Sequence, residues 1–182
     1  MKQVLVLCGS PHKQGATAAL LDAALDGIGD AAVTRFDAFA LNPAPCDDCR
    51  RCHVADGCRH RDLDAFYAAL EAADVLVFAT PVYNRSFPAP MKAVLDRLQR
   101  YWSARFIRGI KPPITTPKTA LLLTSGGADR GDGVYLEEQL APILTILHST
   151  PAVAVHADNT DRRAIDPAVL ATAKTAGKTI ST

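Results

Sequence analysis

The 182-residue sequence has no surplus of either charge: 20 Lys and Arg stand against 19 Asp and Glu, a formal net of +1. Without a broad positive field there is no general attraction to nucleic acid or to an anionic membrane, so any anion must be held by local geometry. Long apolar runs are missing too, and the longest fall well short of the roughly 20 residues a membrane-spanning helix needs. A strand pattern starts at Lys2 and leaves no room ahead of it for an export signal, so a cytoplasmic protein is expected. No Pro/Gly/Ser-rich linker, charge block, internal repeat or low-complexity segment divides the chain, which predicts a single domain over residues 1–182. The turn from the first strand into the first helix, Gly9–Thr17, carries neither the G-x-G-x-x-G spacing of a tightly held dinucleotide nor the G-K-[ST] of a nucleoside triphosphatase.

What is present is a globular composition, 48% apolar and 21% charged, with enough apolar material for a full core. Gln3–Cys8 (QVLVLC) and Asp74–Thr80 (DVLVFAT) are continuous apolar runs of the kind buried on both faces of a parallel sheet. Thr119–Ser125 (TALLLTS) is a third, Ala32–Asp37 a weaker strand and Ala152–His156 a short last one. Between them, Ala16–Ile28, Leu63–Ala73, Pro90–Tyr101, Val134–Leu147 and Pro167–Thr179 read as helices. Pro90 suits a first helical turn, and Asp166 suits an N-cap. Strands alternating with helices predict an α/β fold, a parallel sheet with helices on both faces. In such sheets ligands bind beyond the carboxyl ends of the strands. That rule points to the loops after Cys8, Thr80 and Ser125.

The first of these, Gly9–Thr17 (GSPHKQGAT), joins a buried strand directly to a helix. Free N–H groups and the positive end of the helix dipole meet there, Ser10 and Thr17 add hydroxyls, and His12 and Lys13 add cationic groups, so the loop is built for a phosphate. In the second loop, Pro81 and Tyr83 offer a rigid flat surface for a planar ring, with backbone groups free to read its edge. In the third, Gly126 and Gly127 allow a ligand to approach the backbone closely. Each loop alone has an ordinary reading as a turn. The three together do not.

GSPHKQGAT, TPVYNRSFPAPMKAVLDR and TSGG together resemble the NADPH-dependent FMN reductase and iron-sulfur flavoprotein group of the flavodoxin-like superfamily. That group carries G-S-P-R-x-x-G-N-T, then P-x-Y followed by P-x-x-L-K-x-x-x-D-R. Ser10, Pro11, Gly15, Thr17, Pro81, Tyr83, Lys92, Asp96 and Arg97 stand at matching positions. His12 departs from the usual arginine, exchanging a permanently charged fork for an imidazole whose charge varies near neutral pH, and Ala16 departs from the usual asparagine. The resemblance implies a flavodoxin-like three-layer sandwich whose five-stranded parallel sheet has the order 2-1-3-4-5. It implies FMN, with its phosphate on Ser10, His12, Gln14, Gly15, Ala16 and Thr17 and its isoalloxazine against Pro81, Val82, Tyr83, Asn84, Ser125, Gly126 and Gly127.

It also implies NAD(P)H as electron donor, a small acceptor (quinone, flavin, nitroaromatic or metal ion), and a homodimer or homotetramer. No dedicated protein catalytic residue is expected, because the flavin carries the chemistry.

Four of the five cysteines lie in the long connection Leu41–Asp62, as Cys46-x2-Cys49-x2-Cys52-x5-Cys58. Thiolates at this density select an iron-sulfur cluster or zinc. The spacing resembles the cysteine motif of the iron-sulfur flavoproteins, which implies a 4Fe-4S cluster and an electron carrier with ferredoxin-like partners as the alternative function. Zinc and free thiols stay open beside it. Cys8, alone in its strand, reads as a small buried hydrophobe. Tyr101, Trp102, Arg105 and Phe106 are expected near the flavin rim, in a subunit interface or in local core packing.

Overall fold

The computed structural model describes residues 1–128 and 131–181. Five parallel strands, β1 (Gln3–Cys8), β2 (Ala32–Asp37), β3 (Val75–Pro81), β4 (Lys118–Ser125) and β5 (Ser149–Ala157), form one sheet in the order β2-β1-β3-β4-β5. The expected order is borne out.

Because side chains alternate along a strand, the central strands feed two cores. Val4, Val6 and Cys8 of β1, Val75, Val77 and Ala79 of β3, and Leu121 and Leu123 of β4 face helices α1 (Ala16–Ile28) and α8 (Pro167–Ser181). Leu5, Leu7, Leu76, Phe78, Ala120 and Leu122 face the other way, toward α4 (Asp64–Ala72), α5 (Ala89–Arg97), α6 (Gln99–Phe106) and α7 (Asp132–Ile146). This two-sided burial is why β1, β3 and β4 read as unbroken apolar runs. Edge strand β2 mixes exposed and half-buried positions and gave the weaker signal.

Three elements differ from the sequence reading. The single helix expected over Pro90–Tyr101 is two, with Leu98 as the joint between α5 and α6. The connection Leu41–Asp62 is not purely loop: α2 (Ala38–Leu41) overlaps its start and α3 (Arg51–Val54) lies inside it. The last strand also extends beyond Ala152–His156 at both ends. Among the described residues no helix is long and apolar enough to cross a membrane.

On the α1/α8 side the helices touch backbone to backbone. A Cβ on Gly177 would overlap the carbonyl oxygen of Ala24, and one on Gly27 would overlap that of Lys174. Ala24, Ala173 and Ala176 complete this close crossing. The crossing sets where the amino-terminal end of α1, and with it the phosphate loop, stands over the sheet.

Candidate functional site: a phosphate loop and two ring-facing loops

The loops after β1, β3 and β4 lie at the carboxyl edge of three adjacent strands and are tied to one another. Gly9 donates its N–H to Ala79 O at 2.7 Å. A Cβ at Gly9 would sit 2.5 Å from Met91 Sδ and 2.8 Å from Thr80 Oγ1, so only glycine lets the loop leave β1 this close to β3. Ser10 Oγ accepts the His12 N–H at 3.2 Å and shapes the turn. Residues 11–15 are exposed, and Gly15 enters α1 in an extended conformation with no side-chain capping bond. The first-turn N–H groups of α1 therefore have no side-chain oxygen from Gly15 to satisfy them.

Thr17 is buried and its Oγ1 is hydrogen-bonded to Ser125 Oγ at 2.7 Å, joining the phosphate loop to the loop after β4. Val82 donates its N–H to Ser125 O at 2.8 Å, joining that loop in turn to the one after β3. Gly126 donates to Ala157 O at 3.1 Å and Gly127 accepts from the Asn159 N–H at 3.0 Å. Gly126 and Gly127 stand at φ 82° and 80°, in the region that favours glycine. The glycine pair read from the sequence is thus a backbone requirement. Tyr83 is 44% exposed, as a ring-facing aromatic must be.

Tyr83, Asn84, Arg85 and Ser86 form a tight hairpin turn, with Tyr83 and Ser86 exchanging backbone bonds of 3.0 and 2.9 Å. Asn84 (φ 52°) and Arg85 (φ 58°) both occupy the left-handed region. The turn is clamped to α7. Arg85 Nε donates to Asp132 Oδ1 at 2.9 Å, Ser86 Oγ donates to Gln139 Oε1 at 3.0 Å, and Gln139 Nε2 donates to Arg85 O at 3.0 Å. Asp132 Oδ2 also accepts the Ala128 N–H at 3.0 Å. One buried carboxylate thus serves both ring-facing loops. The sequence reading missed Arg85, Asp132 and Gln139; the Asn-Arg pair where Asn-Gly is usual was the available signal.

Below Gly126, Thr124 Oγ1 meets His156 Nδ1 at 2.7 Å, and His156 Nε2 meets Glu137 Oε1 at 2.6 Å. Gly133 of α7 packs over this chain, where a Cβ would overlap the imidazole.

These residues fit a flavin mononucleotide. The uncapped start of α1 beside Ser10, His12 and Gln14 is a donor set for a dianion, and the ring-facing loops present glycines and backbone groups at a distance set by Thr17, Ser125 and Val82.

The four cysteines behave differently from expectation. Cys46, Cys49, Cys52 and Cys58 do line one pocket, together with Arg50, Arg51, Arg59, Arg97 and Arg100. Among the described residues, however, no three His, Cys, Asp or Glu side chains are grouped to hold a metal ion. The expected metal set is corrected accordingly. Cys46 and Cys49 are exposed, Cys52 is drawn to Ser103 Oγ at 3.3 Å, and Cys49 lies between two left-handed residues, Asp48 (φ 51°) and Arg50 (φ 57°). This arrangement does not fit a cluster.

The cysteine connection is stapled at both ends by Arg97. Its Nη1 donates to Asp62 Oδ1 at 2.6 Å and Ala44 O at 3.3 Å, and its Nη2 to His60 O at 2.9 Å. Burial opposes ionisation of Asp62, but Arg97 and the Ala44 N–H outweigh it and hold the carboxyl below its usual range. Asp56 is likewise lowered, burial being outweighed by Arg100, Arg108 and the Gly57 N–H. Trp102 packs against Phe106 and His53 beside α3, and Tyr101 is buried with its hydroxyl donating to Glu71. Trp102 thus backs the cysteine connection through His53, whereas Tyr101 belongs to the core beside Tyr67.

A parallel α/β sheet in the order 2-1-3-4-5, with a phosphate loop on its first strand and two glycine- and aromatic-bearing loops beside it, defines the flavodoxin-like class. Within that class the chain belongs to the NADPH-dependent FMN reductase family, whose model matches residues 2–160. It is 34% identical over 94 residues to an iron-sulfur flavoprotein of Methanosarcina thermophila, covering 50% of this chain and 49% of that one. It is 28% identical over 129 residues to an NAD(P)H:quinone oxidoreductase of Solanum tuberosum, covering 71% and 61%. The chain thus spans about half the length of the first relative and about three-fifths of the second. A solved NAD(P)H:quinone oxidoreductase from Methanothermobacter marburgensis shares the fold at TM-score 0.76 and 19% identity, over 100% of this chain and 98% of that one.

Proposed function

We propose that this chain is an FMN-dependent oxidoreductase that takes electrons from NAD(P)H and passes them to a small acceptor, with quinones first among the acceptors. The observation that carries this reading is the junction of the three loops through Thr17 Oγ1–Ser125 Oγ and Val82 N–Ser125 O. It makes one rigid cradle from a phosphate site and two ring-facing segments. Two relatives named for quinone reduction support the activity, as does the family name.

FMN, when bound, would supply the hydride and electron-transfer chemistry. The protein's own part is placement. Ser10, His12, Gln14, Gly15, Ala16 and Thr17 hold the phosphate by hydroxyls, backbone N–H groups and the dipole of α1. Pro81, Val82, Tyr83, Asn84, Ser125, Gly126 and Gly127 would hold the ring. Fixed backbone N–H groups at its edge stabilise the negative charge that reduction builds there. Neither a proton-transfer side chain nor a nucleophile is needed in the cradle.

The test is steady-state oxidation of NADPH and NADH by the FMN-loaded protein with menadione as acceptor. Turnover above the rate of free FMN is expected. A yellow protein that oxidises neither donor would contradict the activity and leave an FMN-binding carrier.

A further inference from the structure

Arg85 sits where a side chain is least welcome. Its φ of 58° belongs to the second corner of a two-residue hairpin turn, a place that favours glycine. A backbone that tolerates such a residue implies a use for the side chain.

The structure shows how that side chain is held. Nε is bonded to Asp132 Oδ1 at 2.9 Å, and the guanidinium lies 4.8 Å from the centroid of the Tyr135 ring. Asp132 is nearly buried, so this anchor is partly shielded from water, whereas the arginine side chain is 54% exposed. Among the described residues Nη1 and Nη2 make no hydrogen bond. The group is therefore held through Nε and against one ring face, while its side chain stays more than half exposed. A guanidinium fork in this state has already lost most of its rotamer freedom and matches the oxygens of a phosphate two at a time.

Its surroundings match a nucleotide as well. Tyr83 opens the same turn, and Val134 and Tyr135 rise from the first turns of α7; all three are exposed by 40% or more. Flat apolar surface thus flanks an oriented cation at the rim of the cradle. The chain has no G-x-G-x-x-G loop with which to bind a dinucleotide in another way.

We propose that Arg85 is the residue that recognises a phosphate of the pyridine dinucleotide when it docks over the flavin site, an inference that rests on the NAD(P)H reading above. The phosphate is either the 2′-phosphate of NADPH or the diphosphate common to both donors. Asp132 and Tyr135 are positioning residues that hold the fork open for it.

The experiment uses Arg85→Gly, which suits the turn's backbone and removes the side chain together with its bond to Asp132, and Arg85→Lys, which keeps the charge without the fork. Adenosine 2′,5′-bisphosphate and ADP are titrated calorimetrically into the FMN-loaded wild type and variants, and KM and kcat are measured with each donor. R85G is expected to weaken binding of at least one nucleotide about tenfold or more, R85K to recover part of it, and the kinetic change to fall on KM rather than kcat. Loss for the bisphosphate and NADPH alone assigns the 2′-phosphate; equal loss for ADP and NADH assigns the diphosphate. Wild-type and R85G proteins that bind both nucleotides equally, or a wild type that binds neither, would overturn the inference. Donor oxidation by the wild type separately reports the proposed activity, so the two failures are distinguishable.

Discussion

Replacing Arg97 with Met is expected to lower the stability of this protein by about 3–5 kcal/mol, the range seen when one partner of a buried ion pair is removed. The Arg97 side chain is fully buried and its ion pair with Asp62 measures 2.6 Å. The same guanidinium satisfies the carbonyl oxygens of Ala44 and His60 at opposite ends of the cysteine connection. Met fills much of the volume but leaves these two oxygens without their donors. Asp62, 33% exposed, regains some water, which places the loss toward the lower part of that range.

The pH dependence has a definite sign. A carboxyl held below its usual value stabilises the fold above its unfolded pKa, and that contribution is lost as pH falls through the lowered folded value. The Asp62 carboxyl is shifted in that direction, down from an ordinary value of 3.8. The gap between wild type and R97M in urea denaturation should therefore be full near neutral pH and shrink in strong acid. A gap under about 1 kcal/mol at neutral pH would show that the staple matters little.

Gly177→Ala is expected to cost about 3 kcal/mol, at the upper end of overpacking effects, and to lower the melting temperature by roughly 6–12 °C. The added methyl meets the carbonyl oxygen of Ala24, a backbone atom of α1 that cannot swing aside as a side chain would. α8 must move off α1 or α1 must shift along the sheet, and buried Leu20, Leu21, Ala173 and Ala176 lose contacts with it. Differential scanning calorimetry reads the effect directly. A G177A protein melting within a degree or two of wild type would mean that this crossing is loosely packed.

The central strands were legible because both of their faces are buried. Residues such as Val4, Leu5, Val6 and Leu7 give a continuous apolar signal that a one-sided strand lacks. Pro90–Tyr101 misled for a related reason: Met91, Val94, Leu95 and Leu98 keep helical spacing up to the joint, and Tyr101 continues the buried side beyond it. Spacing alone does not register the break at Leu98.

The three loops could be found from the rule that ligands bind past the carboxyl ends of strands, and FMN from the motif resemblance. The clamp on the Tyr83–Ser86 turn could not, because Arg85 and Asp132 are 47 residues apart. The reciprocal contacts of Gly27 and Gly177 were hidden in the same way: a glycine within a helix records that something approaches closely, not what approaches. For the cysteines, sequence spacing counts donors along the chain but does not fix where each thiol points. The left-handed residues on either side of Cys49 and the Cys52–Ser103 contact decide that.

The measurement that bears most directly on the central claim compares the binding of FMN and riboflavin, two ligands that differ only in the phosphate. Fluorescence quenching titrations of both should show one FMN per chain bound at least about 100-fold more tightly than riboflavin, the equivalent of two charge-assisted hydrogen bonds at the Ser10–Thr17 loop. Equal affinity for the two, or no binding of either, would contradict the assignment of that loop as the phosphate site.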